Sequence, residues 1–219
     1  MDERAAAAQI VAAGRRLGAR GLISAGEGNL SIRLDGDRVA ITPRGRRKDE
    51  LVDRDLVVMA IGHPRAAASS ASGLEPSSDL AIHLAALAAR RDVAAVAHAH
   101  LPAAMALTLA GEVPDPAALP ETALFIPRLP YLPFGEPGSD DLAARIAEAL
   151  TAEPAPHADA VLLERHGAVA VGPDLATAID RLELVEVLCR TWRDSLLIRA
   201  ARTTLDQRPS DRQGAGPTG

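Results

Sequence analysis

The chain has 219 residues, of which 47% are hydrophobic and 24% charged, so it can form one large domain with a real core, or at most two small ones. Its net charge of −5 argues against a nucleic-acid-binding protein, which usually carries a basic excess. Cys189 is the single cysteine, so no internal disulfide is possible and a cytoplasmic location is expected. The start of the sequence lacks the pattern of a signal peptide and no run of 18 apolar residues occurs, so we expect no membrane association.

The first half of the chain predicts one helix followed by several strands. Residues 2–20 are rich in Ala and have apolar residues at helical spacing, so we expect a helix that ends at Gly21. The segment GEGNLSIRL combines a Gly-rich turn with the alternation of a strand, and RVAITP and DLVVMAIG predict two further strands. Residues 63–76 are small and include prolines, which indicates a loop.

The second half alternates helices and strands. We expect a helix over SSDLAIHLAALAARR, with Ser77 or Ser78 as its N-cap, and then a strand over DVAAVAHAH. Residues 112–137 contain many prolines and predict an irregular connection. The segment SDDLAARIAEALTAE predicts a helix capped by its leading serine, and AVLLERHGAVAVG predicts two short strands joined by a tight turn at its HG pair.

The last predicted element is a long amphipathic helix over residues 174–201, with Asp174 near its N-cap. The polar sequence after it contains Gly and Pro, so we expect one domain over residues 1–202 and a disordered tail over residues 203–219. Helices and strands are mixed without strict βαβ alternation. This mixture favours a single α/β domain with a largely antiparallel sheet and helices on its faces.

Two histidines, His98 and His100, are one residue apart in an apolar run that predicts a strand. Residues i and i+2 of a strand point to the same face, so both imidazoles can bind one metal ion at about 2.0–2.1 Å. The alternative is a pair of partly buried histidines that only make hydrogen bonds, and spacing does not separate the two interpretations. His166 lies at a tight turn between apolar strands, where a core histidine has little purpose. Three neutral imidazoles with an open fourth position are typical of a catalytic zinc site.

The segment PSSD precedes the second predicted helix and places polar groups at its N-terminus. Asp79 falls in the first turn, where its charge suits the helix dipole, and the simplest interpretation is a capping carboxylate. Ser77 and Ser78 lie where free backbone N–H groups favour a phosphate or carboxylate, although ordinary capping explains them equally well. His83 follows Asp79 by one helical turn and is either a partner of the site or a helix-surface residue.

Five short motifs occur in the order GEGNLSIRL, ITPRG, PSSD, HAH and RHG, and together they resemble the class II aldolase/adducin family. The resemblance runs from about residue 5 to residue 195, and L-fuculose-1-phosphate aldolases are its best-known members. It implies an α/β/α sandwich with a central, mostly antiparallel sheet, and an assembly that is usually a homotetramer. The interval of 19 residues between Asp79 and His98 is the family's own, and it suits one helix followed by one strand.

The resemblance also implies the roles of individual residues. His98, His100 and His166 match the three metal ligands, usually for Zn²⁺ but also for another divalent metal. Asp79 takes the position of the catalytic acid/base, which is a glutamate in the aldolases. The residues that match the three phosphate-binding loops are Gly28, Asn29, Arg44, Gly45, Ser77 and Ser78.

The activity implied is metal-dependent cleavage of a small ketose 1-phosphate into dihydroxyacetone phosphate and an aldehyde. A metal held by three histidines stabilises, as a Lewis acid, the negative charge that develops during cleavage, and a nearby carboxylate moves the proton. The partner expected is therefore a small phosphorylated sugar.

Three departures from the family pattern keep other activities open. Asp79 replaces glutamate, as in the pentulose-5-phosphate 4-epimerases of the family, and Arg44 stands where Ser or Thr is common. The aldolases also use tyrosines from a neighbouring subunit and the C-terminal tail, whereas Tyr131 is the single tyrosine here, and Glu121 is a second candidate for proton transfer. The alternatives are therefore the epimerase, a methylthioribulose-phosphate dehydratase and a sugar-acid-phosphate decarboxylase. A non-catalytic adducin-like module is disfavoured because the three histidines are all present.

Overall fold

The computed structural model describes residues 1–62 and 72–206 and has a central sheet of seven strands. The strands are β1 (Asn29–Leu34), β2 (Arg38–Ile41), β3 (Val57–Ala60), β4 (Ala95–Ala99), β5 (Tyr131–Leu132), β6 (Ala160–Leu163) and β7 (Gly167–Gly172). They lie in the order β3-β2-β1-β4-β7-β6-β5, and every neighbouring pair is antiparallel except β5 and β6. The mostly antiparallel sheet predicted from the sequence is therefore confirmed.

Helices cover both faces of this sheet. They are α1 (Glu3–Ala19), α2 (Leu80–Ala89), α3 (Pro102–Leu109), α4 (Pro120–Phe125), α5 (Asp140–Thr151) and α6 (Leu175–Asp206). One hydrophobic core joins α1, α3 and α6 to the sheet, and a second core joins α2 and α5 to the opposite face. This arrangement is the expected α/β/α sandwich. Among the described helices, none is long and apolar enough to cross a membrane.

The central strand β4 shows how the sequence assigns side chains to the two faces. Ala95, Ala97 and Ala99 belong to the core under α1 and α6, where small side chains let α6 approach the sheet closely. Val96 belongs to the core under α2, and the alternation of a strand places His98 on that same face. Ala99 therefore packs in the core, on the face of β4 opposite His98.

Two segments differ from the sequence-based expectations, and others lie outside the described residues. The proline-rich connection contains the short helix α4, which begins at Pro120, a position where proline's missing N–H costs no hydrogen bond. Helix α6 continues through Asp206, because neither glycine nor proline interrupts residues 199–206. Most of the loop expected over residues 63–76, and the expected tail beyond residue 206, lie outside the described residues.

Candidate active site

Three histidines converge where β4 ends between β1 and β7. His98 is opposite Asn29 on one neighbouring strand and Val169 on the other, His100 directly follows β4, and His166 directly precedes β7. Their ring centroids are 4.8 to 5.0 Å apart, and one nitrogen of each lies within 4.8 Å of the others. The tertiary structure thus brings His166 to the pair His98 and His100, and the three imidazoles can hold a single metal ion.

The hydrogen bonds of these histidines leave nitrogen lone pairs available. His98 Nδ1 donates to the Ala168 carbonyl at 3.0 Å, which makes Nε2 the acceptor nitrogen, and Nε2 is buried without a hydrogen-bond partner. His166 Nδ1 is also buried and unpartnered. Burial lowers the pKa of all three imidazoles, so they are neutral, which is the form that binds a metal. Because buried polar atoms normally have partners, these nitrogens fit a divalent metal well.

Two glycines permit the close approach of the chain segments around the triad. A Cβ atom on Gly167, which has φ of 92°, would lie 2.1 Å from the Ala99 carbonyl oxygen. A Cβ atom on Gly28, which has φ of 69°, would lie 2.9 Å from the His98 carbonyl oxygen. Only glycine fits both positions, so the turns that carry His166 and Asn29 can pack directly on the end of β4.

Asp79 lies at the N-cap position of α2 but does not cap the helix with its side chain. Its Oδ2 accepts a hydrogen bond from Asn29 Nδ2 at 2.8 Å and lies 3.9 Å from His98 Nε2, while Oδ1 is buried without a partner. The simplest interpretation of the sequence, a capping carboxylate, is therefore wrong. Asp79 occupies the N-cap position by its backbone alone, so the expectation that Ser77 or Ser78 is the N-cap is also wrong. Ser77 contributes only a weak bond, in which its Oγ accepts from the Asp79 N–H at 3.3 Å.

A buried chain of hydrogen bonds holds the Asp79 carboxylate in place. Ser31 Oγ and His83 Nδ1 are 2.7 Å apart, and His83 Nε2 and Asn29 Oδ1 are 2.5 Å apart. Because the Asn29 amide must direct its N–H towards Asp79, its oxygen faces His83, and His83 Nε2 is therefore the donor. Burial lowers the pKa of His83 to about 4, which keeps this imidazole neutral. His83 is thus a partner of the site, and helix-surface exposure was the wrong alternative.

An open cavity of about 560 Å³ lies in front of the triad. Except for His98, which is fully buried at its base, every residue of the set predicted from the sequence lines this cavity. Those residues are Gly28, Asn29, Arg44, Gly45, Ser77, Ser78, Asp79, His100 and His166. Three cationic side chains are among the lining residues, namely Arg44, Lys48 and Arg165. Pro137 is the single apolar side chain among the described lining residues.

Lys48 lines the cavity, although it belongs to the charged run RGRRKDE, whose composition is typical of a solvated loop. Its side chain is buried, and Nζ donates to the carbonyl oxygens of Gly26 at 2.6 Å and Arg46 at 2.8 Å. Burial lowers the pKa of Lys48 to about 8, and the nearby charge of Asp79 opposes this shift. Nothing in the run RGRRKDE distinguishes Lys48 from its exposed neighbours, so only the tertiary structure identifies it.

Two further candidates, Tyr131 and Glu121, are not brought to this cavity by the described chain. Tyr131 is half-buried on β5 at the edge of the sheet, where burial is the main cause that raises its pKa. Glu121 is exposed in the first turn of α4. Neither lines the cavity, so the described chain places no tyrosine beside the triad.

The chain belongs to the class II aldolase/adducin family: residues 8–193 match the family model described as Class II Aldolase and Adducin N-terminal domain. Members of this family typically depend on a divalent metal, and they act on small phosphorylated sugars.

Individual relatives within the family differ in activity. The chain is 32% identical over 182 residues to a 3-oxo-tetronate 4-phosphate decarboxylase from Haemophilus influenzae, with 81% of each chain covered. It is 35% identical over 193 residues to a methylthioribulose-1-phosphate dehydratase from Acidiphilium cryptum, with 83% of this chain and 87% of the relative covered. The solved L-fuculose-1-phosphate aldolase from Thermus thermophilus superposes with a TM-score of 0.73 at 26% identity, covering 94% of this chain and all of the other.

Proposed function

We propose that this protein is a metal-dependent decarboxylase of a small phosphorylated 3-oxo sugar acid. The observation that carries the proposal is the charge of the cavity, which is lined by three cationic side chains (Arg44, Lys48 and Arg165) and two carboxylates (Asp79 and Glu27) beside the histidine triad. Three cations suit a substrate with two anionic groups, a phosphate and a carboxylate. The similarity to 3-oxo-tetronate 4-phosphate decarboxylases supports the same substrate class.

Each part of the site has a role in this reaction. The triad of His98, His100 and His166 would hold Zn²⁺ or another divalent metal, which supplies Lewis-acid stabilisation of the charge that develops on the substrate carbonyl. The phosphate would lie against the backbone and side chains of Gly28, Asn29, Arg44, Gly45, Ser77 and Ser78, in agreement with the family pattern. The carbon–carbon bond to the carboxylate breaks, CO2 leaves, and the electron pair remains on the substrate.

Asp79 would deliver the proton that replaces the lost carboxylate. Asn29 fixes the Oδ2 atom of this carboxyl, so the unpartnered Oδ1 is the atom available for proton transfer. Decarboxylation requires one protonation at carbon, whereas aldol cleavage also requires removal of a proton from a hydroxyl group. Asp79 can supply that single protonation, so decarboxylation needs no tyrosine, and the described chain places none in the cavity.

Dehydration of methylthioribulose 1-phosphate is the second candidate, because relatives with 34% and 35% identity carry that name. Such a substrate has one anionic group and an apolar methylthio end. Pro137 is the single apolar side chain among the described residues that line the cavity, which offers little surface for that end. The cavity therefore favours the acid substrate over the methylthio substrate.

A comparison of three substrates on the metal-loaded protein tests the proposal. We expect CO2 and dihydroxyacetone phosphate from 3-oxo-tetronate 4-phosphate, with much lower turnover of methylthioribulose 1-phosphate and of a ketose 1-phosphate. Metal analysis should give near one ion per chain, falling below about a tenth in His98→Ala, because loss of one of three ligands removes most of the affinity. His157→Ala, at a histidine that does not line the cavity, is the matched control and should keep both metal and activity. Preferred turnover of either other substrate would refute the decarboxylase assignment.

Two further properties, the homotetramer that the family resemblance implies and the location in the cell, stay predictions. A homotetramer is expected, and light scattering coupled to size-exclusion chromatography would measure it. A cytoplasmic location is also expected, from the single cysteine.

A further inference from the structure

Arg165 and the phosphate loops lie on opposite sides of the histidine triad along one edge of the sheet. Asn29 begins β1 and the Arg44 loop follows β2, whereas Arg165 lies in the turn between β6 and β7. The strand order β2-β1-β4-β7-β6 places the end of β4, with His98, between these groups. Adjacent strands are about 4.8 Å apart, so β1 and β7 are separated by roughly 10 Å. A substrate with its phosphate in the loops and its reacting carbons at the triad therefore extends towards Arg165.

The backbone of Arg165 is in an uncommon conformation for its residue type. Its φ of 58° lies in the left-handed region, which glycine and asparagine favour and other residues adopt only at a cost in free energy. The Arg165 N–H donates to Thr108 Oγ1 at 3.0 Å, which fixes the turn in this conformation. An arginine held at such a position, next to His166 and at the mouth of the cavity, indicates that its side chain has a function.

The guanidinium of Arg165 is held in position by its neighbours but remains accessible. Its central carbon lies 4.6 Å from the centre of the Phe134 ring, and Nε is 3.4 Å from Glu164 Oε1. Glu164 Oε2 in turn accepts from the Phe134 N–H at 2.8 Å, so the three residues form one unit. The Arg165 side chain is still 47% exposed, which leaves N–H groups free to bind an anion. Stacking of this kind reduces the conformational entropy lost on binding.

We propose that Arg165 is the residue that recognises the carboxylate of the substrate and so selects sugar acids over neutral sugars. This inference rests on the proposed function and adds to it the group that binds the acid end. A planar guanidinium can donate two parallel hydrogen bonds to a carboxylate, a geometry that a hydroxymethyl group does not offer. In a four-carbon 3-oxo acid phosphate, the phosphate and carboxylate are at opposite ends, with the carbonyl and hydroxyl between them. That order matches the phosphate loops, the triad and Arg165 along the cavity.

Two ligands that differ only at this end test the proposal without catalysis. They are 4-phosphoerythronate, which has the carboxylate, and erythritol 4-phosphate, which has a hydroxymethyl group instead. In calorimetric titrations of the zinc-loaded protein, the acid should bind more tightly than the polyol. Arg165→Met should weaken the acid about 10-fold or more and change the polyol less than about twofold, because a charge-assisted bidentate bond is lost only for the acid. Arg165→Lys should recover part of the affinity.

Two control variants sharpen the interpretation. Glu164→Gln removes the carboxylate that competes for Arg165 and should tighten binding of the acid. Arg193→Met, at a half-buried arginine outside the cavity, should change neither ligand. A wild-type protein that does not discriminate between the two ligands, or an Arg165→Met variant that affects both equally, would overturn the proposal. If decarboxylation is absent while Arg165→Met weakens only the acid, the proposed reaction fails and the role of Arg165 stands.

Discussion

Replacement of His83 by glutamine tests the buried hydrogen-bond chain through its dependence on pH. His83 is fully buried and neutral between Ser31 and Asn29, and burial lowers its pKa from 6.5 to about 4. Glutamine keeps a donor for Asn29 Oδ1 but does not titrate. The variant should therefore fold near neutral pH and differ from the wild type mainly in how its stability changes with acid.

The size and sign of the effect follow from the two pKa values. The unfolded chain protonates His83 near pH 6.5, whereas the folded chain does so only near pH 4, so acid favours the unfolded state between these values. The free energy of unfolding should thus fall as pH decreases from 7 to 4. A shift of about 2.5 pH units at about 1.4 kcal/mol each gives roughly 3 kcal/mol of lost stability that is specific to His83.

Urea unfolding of wild type and His83→Gln at pH 7, 6, 5 and 4 measures this difference, with metal removed from both proteins so that its release does not contribute. His98, His100 and His166 also lose stability in acid, but they do so in both proteins and cancel in the comparison. Between pH 7 and pH 4 the wild type should lose about 3 kcal/mol more stability than His83→Gln. Parallel curves would refute the argument that His83 is buried in its neutral form.

Two other predictions concern the turn before β7 and the acid/base. In urea denaturation, Gly167→Ala should lower the free energy of unfolding by at least about 3 kcal/mol, because its Cβ atom would overlap the Ala99 carbonyl. Gly36→Ala is the control: Gly36 also has a positive φ, of 73°, but no close neighbour, so the same assay should show a loss of about 1 kcal/mol. Asp79→Asn should leave the metal content unchanged and lower turnover about 10²–10⁴-fold; undiminished turnover would exclude Asp79 as the proton-transfer group.

Much of the candidate site was accessible from sequence, because its chemistry is concentrated in short motifs. The His-x-His spacing predicted that His98 and His100 share a face, and the motif order added His166 and the residues of the proposed phosphate loops. The role of Asp79 was ambiguous, since a carboxylate at a helix N-terminus is usually a cap. Its bond to Asn29, which removes the capping interpretation, depends on the approach of β1 to α2 and has no counterpart in local sequence.

The sequence by itself determined the family, the alternation of helices and strands, and the residue types that can bind a metal and a phosphate, because periodicity and motif spacing are local properties of the chain. Only the tertiary structure decided which charges are buried and what they face. Lys48 and Arg165 occur in polar segments whose composition is typical of solvated turns. The strand order and the close chain approaches at glycines nevertheless bring both side chains to one cavity beside the triad. Burial and charge proximity arise from segments distant in sequence, so they follow from packing and not from local pattern.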